Sequence, residues 1–242
     1  MTISRNDLKK FSSLKRRSKR NELGLFIVEG KKICDELILS DFELERLFVT
    51  ENYKSDYSDA ELISNKDAER LSNLKNQSNI IGIVKIPKYH LPKKIEKTTI
   101  YLDRISDPGN MGTILRSLDW FGYSNIYCST DSVDVFNNKT VMASMGSVFR
   151  VKAHTISFDE ICEKFSFENV IGTTLDGENL YSFPFIGKSI IVLGNEANGI
   201  SKEIENKINK NISIPKKGNA ESLNVSIATA IILNEINRKT TL

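Results

Sequence analysis

The chain has 242 residues, 40% hydrophobic and 27% charged, the composition of a globular protein with one large core or two small ones. No apolar run approaches the roughly 18–20 residues of a bilayer span, and the basic N-terminus has no secretory h-region. Cys34, Cys128 and Cys162 are widely spaced, and His90 and His154 are the only histidines. The expectations are therefore no disulfide framework, no metal, no membrane and a reducing cytoplasm.

The net charge of +3 is unevenly placed. Residues 1–20 hold Arg5, Lys9, Lys10, Lys15, Arg16, Arg17, Lys19 and Arg20 against Asp7 alone, a net +7, so the remainder sums to −4. Charge gathered in one segment points to a polyanion, with a solvated helix face as the alternative.

Residues 4–20 predict a polar helix with Ser4 as N-cap and Leu8, Phe11 and Leu14 as a narrow apolar stripe. Strand-like runs follow at 25–29, 47–50, 61–64 and 80–86, with helical patterns at 31–39 and 66–74. This alternation predicts an α/β domain over 1–86. Residues 87–98, with two prolines and five lysines or histidines, read as a linker.

From 99 to 242 strands and helices alternate again. Strands are expected at 99–103, 126–128, 170–174, 190–194 and 212–214, and helices at 111–121, 137–145, 201–208 and 222–237. The almost wholly apolar run at 190–194 suits a strand buried on both faces. The pattern predicts a doubly wound parallel sheet, in which ligands bind beyond the carboxyl ends of the strands.

Three segments follow predicted strands there. In D-P-G-N-M-G-T-I-L-R (107–116), Met111, Ile114, Leu115 and Leu118 form the core stripe, which leaves Asn110 and Arg116 free to project. Arg116 suits an oxyanion, or an ordinary surface ion pair. In I-I-V-L-G-N-E-A-N-G-I (190–200), Gly194 permits close backbone approach, and Glu196 could accept from a ligand or serve as a turn acid. In I-S-I-P-K-K-G-N-A-E-S-L-N-V-S (212–226), Ser222 and Asn224 stand where the last helix should begin, and Ser222 could be its N-cap.

In this order the three segments resemble the signature motifs of the SpoU/TrmH family of RNA 2′-O-ribose methyltransferases, within the SPOUT superfamily. The matching pieces are N-M-G-T-I-L-R, I-V-L-G-N-E and I-P…S-L-N-V-S. L-F-I-V-E-G-K-K at 25–32 resembles the substrate-binding domain that many members carry. The resemblance implies an α/β fold: a C-terminal parallel sheet with a deep trefoil knot, preceded by a small RNA-binding domain. It implies a homodimer and S-adenosylmethionine, bound around Thr173, Leu193, Gly194, Asn195, Gly199, Ile214, Ser222 and Leu223. Arg116 is implied as the central catalytic residue, with Asn110, Glu196, Ser222 and Asn224 ordering it and the ribose. RNA contacts are expected from Arg5, Lys9, Lys15, Arg16, Arg17, Lys19 and Arg20. Ribosomal RNA is favoured as substrate; transfer RNA, or a non-catalytic RNA-binding protein of the same fold, are the alternatives.

Overall fold

A computed structural model describes residues 3–74, 76–95 and 98–240. The chain divides into two compact units: Met1–Lys88 with Asp134–Arg150, and Tyr89–Val133 with Val151–Leu242. The first unit is thus discontinuous in sequence. Residues Asp134–Arg150, expected within the C-terminal domain, pack with the N-terminal one.

The first unit is a four-stranded sheet of order β1-β4-β2-β3, formed by β1 (Leu25–Glu29), β2 (Leu44–Val49), β3 (Glu61–Leu62) and β4 (Ile80–Lys85). Every residue of β1 is buried because both its faces are covered. Successive side chains alternate between faces. Leu25 and Ile27 join Leu8, Phe11 and Leu14 from the N-terminal helices and Ala68 and Leu71 from α4 (Asn65–Leu71). On the opposite face Phe26 packs on Phe136, with ring centroids 4.7 Å apart.

The expected single helix over 4–20 is broken. Helix α1 (Arg5–Ser12) ends in a 3-10 turn, Arg16 is extended, and α2 (Arg17–Leu23) follows. Ser4 does cap α1, accepting from the Asp7 amide. The break has a local cause in Arg20, which is only 3% exposed. Its Nη1 donates to the Leu14 and Lys15 carbonyls at 2.9 and 3.2 Å, groups a continuous helix would have used itself. Its Nε and Nη2 donate to Asp134 Oδ2 at 2.8 and 2.6 Å. The Glu29 carboxylate is also buried, and accepts from Ser72, Asn73 and Asn138. Asn138 begins α6 (Asn138–Ser144). Helix α3 (Lys31–Ile38) lies close against β4: a Cβ on Gly82 would sit 3.0 Å from Leu37 Cδ2.

The second unit carries six parallel strands in the order β10-β8-β9-β5-β6-β7. These are β5 (Thr99–Leu102), β6 (Asn125–Cys128), β7 (Lys152–Thr155), β8 (Asn169–Asn179), β9 (Ser189–Leu193) and β10 (Lys210–Ser213). Strand β9 is fully buried, as its apolar run requires. One face carries Tyr101, Tyr127, Ile190 and Val192 against Phe158, Ile161 and Phe165 of α7 (Phe158–Phe165). Helix α5 (Pro108–Trp120) packs beside α9 (Val225–Thr240). The short α8 (Lys202–Glu205) precedes β10.

Strand β7 and helix α7 were not among the expected elements. The K-A-H-T run of β7 has no apolar alternation, since it is the sheet's edge. Helix α7 did carry a signal: Ser157 and Glu160 form a capping box. Helix α5 begins three residues earlier than its apolar stripe suggested, because Asp107 caps it and Pro108 occupies its first turn. The last helix begins at Val225 rather than near 222.

Candidate active site

Strand order reverses between β5 and β9. From β5 the chain builds outward through β6 and β7, then returns to lay β8, β9 and β10 on the other side. The crevice beyond the carboxyl ends of two such strands is where open α/β sheets bind ligands. All three motif segments emerge at this edge of the sheet.

Asp107 Oδ1 accepts from the Asn110 amide at 2.7 Å and so starts α5 with Asn110 in its first turn. Asn110 Nδ2 donates to Glu196 Oε1 at 2.9 Å, and Asn224 Nδ2 donates to Asn110 Oδ1 at 2.8 Å. Glu196 Oε2 accepts from the Ser106 amide and hydroxyl at 3.4 and 3.2 Å. Burial pushes the Glu196 carboxyl up, but the hydrogen bonds from Asn110, the backbone and Ser106 outweigh it and leave it below its ordinary value. Glu196 is therefore an ionised acceptor that orients Asn110, rather than a proton donor.

Asn224 Oδ1 accepts from the Ser226 amide at 2.9 Å, so Asn224 caps α9. That corrects the expectation that Ser222 caps this helix: Ser222 is exposed, two residues before the cap. Arg116 is exposed on α5, and among the described residues its side chain makes no hydrogen bond or ion pair. The surface ion pair that would have made it ordinary is absent there. Ser106 and Asp107 were not expected as site residues, although Asp-Pro at a predicted helix start was a visible cap signal.

The implied cofactor segments lie on three adjacent strands: after β9, within the C-terminal half of β8, and after β10. Gly194 ends β9, where a Cβ would lie 2.3 Å from the Gly199 carbonyl carbon; only glycine allows this fold-back. Asn195 and Gly199 then bridge each other, and Asn195 donates to the Arg104 carbonyl at 2.7 Å. The β8–β10 ladder jumps from Gly172 to Glu178, so residues 173–177 leave it as a ledge with Leu175 exposed. Thr173 Oγ1 is committed to the Val192 carbonyl at 3.0 Å. Leu193 is buried, Ile214 half-buried and Leu223 exposed. Among the described residues the backbone of 215–223 makes no hydrogen bond. Uncommitted amides and carbonyls beside exposed leucines fit a ligand with an aromatic base, hydroxyls and an amino-acid tail.

Of the expected RNA-contacting residues, Arg5, Lys9, Lys15, Arg16 and Arg17 are exposed. Lys15 donates to the Ser72 carbonyl at 2.7 Å, and Lys19 pairs with Glu22 at 2.5 Å. Arg20 is a correction: its charge is spent inside the first unit on Asp134 and is not presented to a ligand. Among the described residues no helix is long and apolar enough to cross a membrane.

Comparison with known proteins agrees with this geometry. The SpoU rRNA methylase family matches residues 97–234, and an MRM3-like substrate binding domain matches residues 5–82. A Porphyromonas gingivalis protein assigned to the TrmH family of RNA methyltransferases is 35% identical, with a TM-score of 0.86 over 98% of this chain and 99% of that one. An AdoMet-bound rRNA methyltransferase from Sinorhizobium meliloti is 26% identical, with a TM-score of 0.84 over 100% and 98% of the two chains. The Bacillus subtilis 23S rRNA (guanosine(2553)-2′-O)-methyltransferase RlmP is 26% identical over 236 residues, 94% of this chain and 93% of that one. With both halves matched and the three motifs joined at one sheet edge, the chain belongs to the SpoU rRNA methylase family and is an S-adenosylmethionine-dependent RNA 2′-O-methyltransferase.

Proposed function

We propose that the substrate is ribosomal RNA of the large subunit, and that Arg116 is the central catalytic residue, ordered with the ribose by Asn110, Glu196 and Asn224. The observation that carries this reading is the Glu196–Asn110–Asn224 chain, which ties all three motifs together beside α5. S-adenosylmethionine, when bound, supplies an electrophilic methyl group. The segments 173–177, 193–199 and 214–223 hold it largely through backbone groups. Ser222 contributes through its place in that last segment rather than as a helix cap.

A ribose 2′-hydroxyl is a poor nucleophile, so the protein must position it and favour loss of its proton. A guanidinium offers five N–H donors and no acceptor, so Arg116 does not take that proton. Its planar fork holds the neighbouring phosphate and stabilises the developing alkoxide, and water or the phosphate accepts the proton.

The reading includes a homodimer in the cytoplasm and a trefoil-knotted C-terminal segment. A groove of about 490 Å³ between α5 and α9, lined by Thr113, Ser117, Phe121, Tyr181, Ile227 and Asn234 among others, supports the dimer. Ile227 and Trp120 are exposed, 52% and 85%. The chain's return from β10 at the sheet edge to α9 beside α5 supports the knot. Exposed Arg5, Lys9, Lys15, Arg16 and Arg17 are the RNA contacts of the first unit.

The test is tritiated methyl transfer to ribosomal and transfer RNA from a strain lacking the gene, with the 2′-O-methyl position mapped. Methylation of transfer RNA alone would refute the assigned substrate. No transfer to either would leave an RNA-binding protein of this fold. A one-chain mass by light scattering at micromolar concentration would refute the dimer.

A further inference from the structure

Arg104 stands two residues beyond β5, at the crevice where strand order reverses. It is a bulky residue in the left-handed region, at φ 56°, a conformation that costs any residue with a Cβ and persists only where the surroundings enforce it. Here both backbone groups are pinned: its N–H donates to Ser129 Oγ at 2.8 Å, and its carbonyl accepts from Asn195 Nδ2 at 2.7 Å. The backbone aims the side chain along the crevice toward the β9 turn, where Nη2 reaches the Gly199 carbonyl at 3.4 Å.

The guanidinium is poorly satisfied. Of its five N–H donors, the Nη2 bond to Gly199 is the one hydrogen bond made among the described residues, and the buried Nε has no hydrogen-bond partner. Asp103 Oδ1 lies 3.5 Å from Nε, close enough for charge pairing but not placed to accept a hydrogen bond, while Asp103 Oδ2 takes the Ser201 amide at 2.6 Å. The side chain is 36% exposed. A cation fixed at a ligand-binding edge, with donors idle and one side open, matches the planar fork of an oxyanion.

We propose that Arg104 is a substrate-positioning residue that binds an oxyanion of one of the two substrates at this crevice. The shared chemistry belongs to an RNA phosphodiester next to the target ribose and to the carboxylate of S-adenosylmethionine. The inference rests on the proposed function of the same site. It assigns Arg104 an anion contact in addition to that of Arg116, which lies on α5.

The test compares Arg104→Gln, Arg104→Gly and Arg104→Lys in the full-length protein. Glycine keeps the left-handed backbone, so it removes the side chain without straining the fold. Affinity for S-adenosylmethionine is measured without RNA, and affinity for target RNA without cofactor at three salt concentrations. If Arg104 holds a phosphodiester, Gln and Gly weaken RNA binding about tenfold and flatten log affinity against log salt by roughly 0.7–0.9, while Lys retains the slope. If it holds the carboxylate, S-adenosylmethionine binding weakens about tenfold and the RNA slope stays unchanged. Unchanged affinities and slope, with only the melting temperature lowered, would overturn the proposal and leave Arg104 as the counter-ion of Asp103. Wild-type protein that binds both ligands yet transfers no methyl group would refute the catalytic reading without touching this one.

Discussion

Asn110 and Glu196, 86 positions apart, are joined by a 2.9 Å hydrogen bond from carboxamide to carboxylate. An ionised carboxylate only accepts, so Asn110 must turn its NH2 toward Glu196 and its carbonyl toward Asn224. One amide thereby sets the position of the α9 cap relative to the β9 turn. Asn110→Ala should leave the chain folded and S-adenosylmethionine affinity within a few-fold, while kcat falls by roughly 10²-fold or more, the usual cost of losing an oriented donor at a reacting centre. Asn110→Asp should be worse at neutral pH, because two carboxylates then face each other, and should recover partly as pH falls. Single-turnover methyl transfer across pH separates the two variants; equal profiles would refute the orienting role.

Arg116→Ala should abolish methyl transfer and leave cofactor affinity nearly unchanged. Arg116 is exposed and lies on α5, outside the three segments 173–177, 193–199 and 214–223. Arg116→Lys should also fail, since a point charge lacks the bidentate fork. Near-wild-type turnover in either variant, measured with saturating cofactor, would remove Arg116 from the mechanism.

Asp134→Ala should destabilise the first unit strongly. It leaves the buried Arg20 guanidinium without a counter-charge, a change that costs about 3–5 kcal/mol. Arg20→Met with Asp134→Leu should cost less than either single change, because no buried charge is stranded. For the same reason a fragment ending at residue 98 should be less stable than the unit inside the whole chain, since it lacks Asp134, Phe136 and Asn138. Denaturant titration of each variant provides the comparison.

Glu235, on α9, has its carboxyl pulled from 4.5 down to about 2. The Arg238 hydrogen bond does most of this against the opposing effect of burial, with Lys239 adding to it. A depressed acid stabilises the fold above its unfolded pKa and loses that contribution as pH falls through the folded one. Stability owed to Glu235 should therefore be complete above about pH 4.5 and fade toward pH 2. Glu235→Gln should lower the melting temperature by a constant amount between pH 6 and 8, where that contribution is fully present, and flatten that part of the acid limb.

The basic N-terminus should be tested by substitution rather than deletion, because Leu8, Phe11 and Leu14 belong to the core of the first unit. Changing Arg5, Lys9 and Arg16 together to Gln keeps that stripe. If these residues grip RNA, each contact removed should flatten the salt dependence by roughly 0.7–0.9. Parallel lines of unchanged affinity would mean that the segment's charge only solvates a helix face.

By itself the sequence determined what depends on neighbours along the chain. Strand β9 was legible from its apolar run, the α5 core face from Met111, Ile114, Leu115 and Leu118, and the α1 cap from Ser4. The three motifs marked Asn110, Glu196 and Asn224 as site residues, and the family assignment followed from their order. Tertiary structure decided what depends on partners far away in sequence. The Asn110 links to Glu196 and Asn224 span 86 and 114 positions, and the Arg20–Asp134 pair spans 114. No local periodicity encodes such pairs. Arg20 looked like one more outward cation among eight, because its side chain type is the same whether it meets solvent or a buried carboxylate. Only packing revealed that its charge is met inside the fold, where an unpaired guanidinium would be too costly to bury.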